Sequence, residues 1–109
     1  MRKEIADNFR KSFPVEMSDE DMEEIMCALD TSFRDSAEEL ARTRPDDFEA
    51  IRRVTHTIIG FAGNVCAENL AAMASSLNAS AHAADAQACA AGMRAIVAAW
   101  EEYRAGIPS

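Results

Sequence analysis

The chain has 109 residues, the size of one domain, and needs no staples to bury a core. Its net charge of −8 argues against nucleic acid and an anionic membrane surface as partners, because both call for a basic stripe. No apolar run approaches the ~20 residues of a membrane span, and Met1-Arg2-Lys3-Glu4 opens no signal-peptide pattern. Cys27, Cys66 and Cys89 are odd in number and lack Cys-x-x-Cys spacing. They read as small packing residues, and the cytoplasm is the expected compartment. Abundant alanine, with only 3 prolines and 4 glycines, favours helix.

Residues 1–17 form a lead-in. Ile5, Phe9 and Phe13 are four apart, which predicts a short amphipathic helix ending before Pro14. Ser18 then opens a long helix as its cap, with Asp19, Glu20 and Asp21 in the first turn. Its stripe is Met22, Ile25, Met26, Leu29, Phe33, Ala37 and Leu40, running to about Arg42. Pro45-Asp46-Asp47 restarts the chain, with Asp46 and Glu49 as a capping-box variant. The next stripe is Phe48, Ile51, Val54, Thr55, Ile58, Ala62 and Val65.

A further helix is predicted from Cys66 or Ala67, carrying Leu70, Met73, Ala74, Leu77 and Ala81. The small residues from Ser80 to Ala84 read as a turn. Asp85 caps a last helix running to about Arg104, with Cys89, Gly92, Met93, Ile96, Val97, Trp100 and Tyr103 on its stripe. Gly106 and Pro108 stop it, and Trp100 and Tyr103 are expected to close one end of the bundle. No period-two alternation occurs. The prediction is all-α: one domain over 1–109, with an antiparallel up-down-up-down four-helix bundle at 18–105 after the helical lead-in.

His56 departs from this pattern. On a wheel of 100° per residue with Ile51 at the centre, the core residues of its helix lie within about 60°. His56 lies near 140°, among Glu49, Arg52, Arg53, Gly60 and Gly63, so its ring is expected in solvent. Gly60 follows one turn later on the same face. Glycine inside a helix costs roughly 0.8–1 kcal/mol relative to alanine, and close approach of another body is the usual reason to keep it. Helix–helix packing would be an ordinary alternative for Gly60, and Gly63-Asn64 could simply end the helix. A neutral imidazole is a nucleophile, and a phosphoryl group on its nitrogen is labile enough to be passed on.

The segment Thr55-His56-Thr57-Ile58-Ile59-Gly60-Phe61-Ala62-Gly63-Asn64-Val65, followed by Leu70 and Leu77, resembles histidine-phosphotransfer (HPt) domains. That family reads His-x-Leu-Lys-Gly-Ser-Ala, a small-residue stretch, then a helix with repeated leucines. The resemblance implies a four-helix bundle with His56 as phosphoacceptor. It implies receiver domains of response regulators, or a hybrid sensor kinase, as partners in a phosphorelay. The domain would need no cofactor or metal, since Mg²⁺ would sit on the partner receiver, and it would be a monomeric carrier rather than an enzyme. Gly60, Gly63, Ile59, Arg52 and Arg53 form the expected docking face.

Three positions depart from the motif. Ile59 replaces the family lysine, Phe61 replaces the serine and is expected to face a neighbouring helix, and Cys66 replaces a glycine. One of Arg52 and Arg53 is expected to supply the missing positive charge. The alternative function is an HPt-fold binding or adaptor module with weak or no transfer, because of Ile59. A third is a bundle that dimerises through an exposed apolar patch including Ile59 and Phe61. His82, in the predicted turn, reads as an incidental cation near a helix C-terminus. The methionines Met22, Met26, Met73 and Met93 read as core filler.

Overall fold

A computed structural model describes residues 1–13 and 16–108. Among the described residues there are five α-helices and no strand. They are α1 (Arg2–Ser12), α2 (Asp19–Arg42), α3 (Phe48–Asn64), α4 (Glu68–His82) and α5 (Ala86–Arg104). None is long and apolar enough to cross a membrane. α2 packs on α3, α3 on α4, α4 on α5, and α5 back on α2, which closes a ring around the core.

The lead-in helix is present and is tied down. Ile5 and Phe9 are buried with the bundle core. Phe13 follows the helix in an extended conformation, as the residue before a proline prefers. Its ring is tilted against that of Phe9 with centroids 5.6 Å apart but stays exposed, so the apolar stripe of Ile5, Phe9 and Phe13 buries two of its three members. Pro14, the expected stop, lies outside the described residues. Arg2 donates to both carboxylate oxygens of Asp30 on α2, at 2.9 and 3.0 Å. The Tyr103 hydroxyl of α5 donates to Asp30 Oδ1 at 2.6 Å, so one carboxylate joins three helices. Phe33, Trp100 and Tyr103 cluster beside it with ring centroids 5.0 to 5.7 Å apart, Trp100 stacked on Tyr103 and Phe33 tilted against both.

Helix starts follow local chemistry. Ser18 Oγ accepts from the Asp21 amide at 3.1 Å, and Asp85 Oδ1 accepts from the Ala88 amide at 3.0 Å. Each such cap is worth about 1 kcal/mol. The start of α3 differs from expectation by one residue. Asp47 is the cap, accepting from the Ala50 amide at 3.2 Å. Asp46 is engaged instead by Arg44, through two bonds of 3.1 Å. Glu49 then sits one position too early for the reciprocal half of a capping box.

α4 starts at Glu68, after Cys66 and Ala67, and runs through Ser80 to His82, where a turn was expected. The small residues stay helical because Ala81 packs in the core at 3% exposure. The turn is reduced to Ala83–Asp85. Both α3 and α4 end in the same way. Ala67 N–H donates to Ala62 O and Cys66 N–H to Gly63 O, at 2.9 and 3.3 Å. Asp85 N–H donates to Ser80 O and Ala84 N–H to Ala81 O, at 3.1 and 3.0 Å. These are paired Schellman closures, with Cys66 (φ 56°) and Ala84 (φ 54°) in the left-handed position where glycine is usual.

The predicted stripes bury as expected, except that Ile25, Phe48, Met73, Gly92 and Val97 are only half-buried. Cys89 is buried, whereas Cys27 and Cys66 are exposed thiols rather than packing residues. Gly92 allows close approach of α5 to α4, since a Cβ there would lie 3.0 Å from Leu77 Cδ1.

Candidate functional site

α3 buries Ile51, Val54, Thr55, Ile58 and Ala62 and turns its other side to solvent. His56 lies on that outer side and is exposed, as are Glu49, Arg52, Arg53, Gly60 and Gly63. The 100° wheel therefore separates the two faces correctly. Ile59 lies between them, half-buried against the core. Of the five residues assigned to docking, four are exposed and Ile59 is the exception. Phe61 is half-buried, its ring 6.4 Å from that of Phe33 on α2, so it does face a neighbouring helix. An apolar patch including Ile59 and Phe61 is thus mostly covered. Phe13 is the only large hydrophobic residue exposed among the described residues.

The two glycines are not explained by internal packing. A Cβ added at Gly60 or at Gly63 would meet nothing within 4 Å. Neither has a positive φ, so Gly63 does not end α3; the left-handed residue is Cys66. The result is a strip of uncovered helix backbone beginning one turn after His56.

The two arginines beside His56 differ. Arg53 reaches Glu39 of α2 with Nη2 3.3 Å from Oε1. Among the described residues Arg52 makes no ion pair. Arg52 is therefore the arginine of this face without an ion pair among the described residues.

A shallow open groove runs beside the imidazole. Its α3 wall is built from Glu49, Arg52, Arg53, His56 and Thr57, and its α4 wall from Asn78 and His82. The two α4 residues were not singled out for this face from sequence. They are four apart, so they share a helix face. Asn78 is tied to α3 by Thr55, whose buried hydroxyl lies 3.1 Å from Asn78 Oδ1 and 2.9 Å from the Arg52 carbonyl oxygen. One signal was available: asparagine is a poor helix former, and Asn78 stands in mid-helix beside the core residue Leu77. His82, expected in the turn, is instead the last residue of α4, and it lines the same groove as His56.

Among the described residues, no group of three or more His, Cys, Asp or Glu side chains is placed to hold a metal ion. The groove offers a nucleophilic nitrogen and cations beside open backbone. That set suits a transferable anion brought by another protein.

The family model of the Hpt domain matches residues 15–106, which takes in α2 to α5. No curated protein and no solved structure matches the chain. On that match, covering most of its length, the chain belongs to the Hpt domain family, the histidine-phosphotransfer modules of two-component signalling.

Proposed function

We propose that this protein carries a phosphoryl group on Nε2 of His56 within a multistep phosphorelay, taking it from one receiver domain or hybrid sensor kinase and passing it to another. The observation that carries this reading is the exposed imidazole in mid-α3, beside Gly60, whose outer side is empty to 4 Å. A receiver active site must close over the histidine, and the missing side chain leaves it room.

The step balances without a cofactor of the protein's own. The Nε2 lone pair attacks phosphorus of an aspartyl phosphate. The N–P bond forms, the P–O bond to the aspartate breaks, and the carboxylate leaves with the electron pair. The ring proton on Nδ1 passes to solvent. Return to a second receiver reverses these events. Mg²⁺ bound by the receiver would neutralise the moving phosphoryl group. Arg52 would hold it from this side. The bundle would be the antiparallel up-down-up-down form, acting as a cytoplasmic monomer.

Incubation with a phosphorylated receiver domain tests the reading. The wild-type protein should gain acid-labile, alkali-stable label, and His56→Gln should gain none. Label that persists in the variant places the phosphoryl group elsewhere.

Ile59 motivates a second reading. It is apolar and half-buried where a lysine would reach out. The protein would then be an adaptor that docks on a receiver or kinase without being labelled. Binding that survives His56→Ala, with no label on the wild type, favours that reading.

A further inference from the structure

Arg52, Arg53 and Glu49 line the groove beside His56, and Glu39 of α2 pairs with Arg53 at 3.3 Å, which leaves Arg52 as the arginine without an ion pair among the described residues. A phosphoryl group adds close to two negative charges near neutral pH. Ile59 contributes none of the positive charge needed to meet them. His82 is the group on the α4 wall of the groove that gains a positive charge by taking up a proton.

Its position is set by the fold. Thr55, the residue before His56, bonds to Asn78, one turn before His82. That contact fixes the register of α4 against α3 and brings the two histidines to one groove. The charged and titratable groups that line the groove with His82 are all on α3: Glu49, Arg52, Arg53 and His56. Neither α2 nor α5 lines the groove, although Glu39 of α2 reaches Arg53. Asp85, three residues beyond His82, is occupied in capping α5.

Resting on the phosphoacceptor reading of His56, we infer that His82 is a positioning residue whose protonation is coupled to phosphorylation. As an imidazolium it holds the phosphoryl group from the α4 side of the groove. An opposite charge within reach favours the charged form of a titrating group, so phosphorylation of His56 draws a proton onto His82. Linkage is reciprocal: a proton on His82 favours the phosphoryl group on His56. The carrier would hold its phosphoryl group more firmly as pH falls. It would release the group to a receiver more readily once His82 is neutral.

The intact protein supports a direct test. His56 is phosphorylated with phosphoramidate, and the side-chain carbon and nitrogen resonances of His82 are titrated before and after. The His82 midpoint should move upward on phosphorylation. In parallel, the partition of label between His56 and a receiver aspartate is measured across the imidazole titration range. His82→Gln should lower occupancy of His56 by roughly five-fold at the acid end, the lower range of coupling between two sites, and match wild type at the alkaline end. His82→Arg should hold high occupancy at both ends. An unmoved His82 midpoint, or a His82→Gln effect equal at every pH, overturns the inference. If His56 takes no label from phosphoramidate or from a receiver, the phosphoacceptor reading falls and takes this inference with it. A labelled His56 with an unmoved His82 removes the inference alone.

Discussion

Arg53 on α3 and Glu39 on α2 are joined by an ion pair of 3.3 Å, so the two arginines that flank His56 are not equivalent. The pair is largely exposed and worth under about 1 kcal/mol. Its effect on the groove is to cancel a charge rather than to hold the fold. Arg52→Ala should therefore slow phosphotransfer by roughly ten-fold, corresponding to about 1.4 kcal/mol in the barrier. Arg53→Ala should change it by less than about two-fold. In a Glu39→Gln background Arg53 is released, and Arg53→Ala should then cost more. Single-turnover transfer from a phosphorylated receiver measures all three. Equal effects of the two single variants would contradict this division.

Gly60 separates stability from docking. With nothing within 4 Å of an added Cβ, Gly60→Ala meets no clash and removes the helix cost of glycine. Stability should rise by about 0.8–1 kcal/mol in urea denaturation. A long side chain, as in Gly60→Gln, should leave the fold intact and reduce phosphotransfer by at least roughly ten-fold, because it fills the approach to His56. Full transfer by Gly60→Gln would mean that the partner does not use this strip.

Much of the fold was legible because it rests on local rules. Ser18 and Asp85 cap the helices they were expected to cap, and the apolar stripes bury. The Asp46/Asp47 choice was not legible, since both residues satisfy the capping rule. It is decided by Arg44, which takes Asp46. The continuation of α4 past Ser80 depends on what Ala81 packs against, and periodicity in a run of small residues does not show that. The exposure of His56 followed from its angle on one helix. The other wall of the groove did not, because Asn78 and His82 meet His56 only through the register between two helices, set by packing and the Thr55–Asn78 contact.

Cys66 was legible as a departure from the family glycine, and its geometry gives the reason for that glycine. Its φ of 56° lies in the left-handed region, which costs a residue with a Cβ about 1–2 kcal/mol. Ala84 closes α4 in the same way with φ 54°. Cys66→Gly and Ala84→Gly should each stabilise the protein by about 1 kcal/mol, after allowing for the greater freedom of glycine when unfolded. Their effects should add, since the two turns end different helices. Ala at position 66 should bring no gain, because it keeps the Cβ. Chemical denaturation of wild type, the three single variants and the double glycine variant distinguishes strain at the turn from any effect of the thiol.

The buried phenol of Tyr103 gives the fold an alkaline limit. Burial, then the hydrogen bond to Asp30, push its pKa well above the ordinary 10.0. In the unfolded chain the phenol ionises near that ordinary value, while in the folded protein it stays protonated. The favourable contribution is therefore complete below about pH 10 and is lost as pH rises further, approaching 1.4 kcal/mol per pH unit. Tyr103→Phe should lower stability at neutral pH by about 1.5–3 kcal/mol, the range for a hydrogen bond to a charged group. It should also show a shallower fall above pH 10, so the two curves converge. Asp30→Asn should weaken the junction of α1, α2 and α5 further, because it also deprives Arg2 of its carboxylate. Urea denaturation from pH 7 to 11 tests this. Parallel curves for wild type and Tyr103→Phe would show that the phenol ionises as readily in the folded protein as in the unfolded chain.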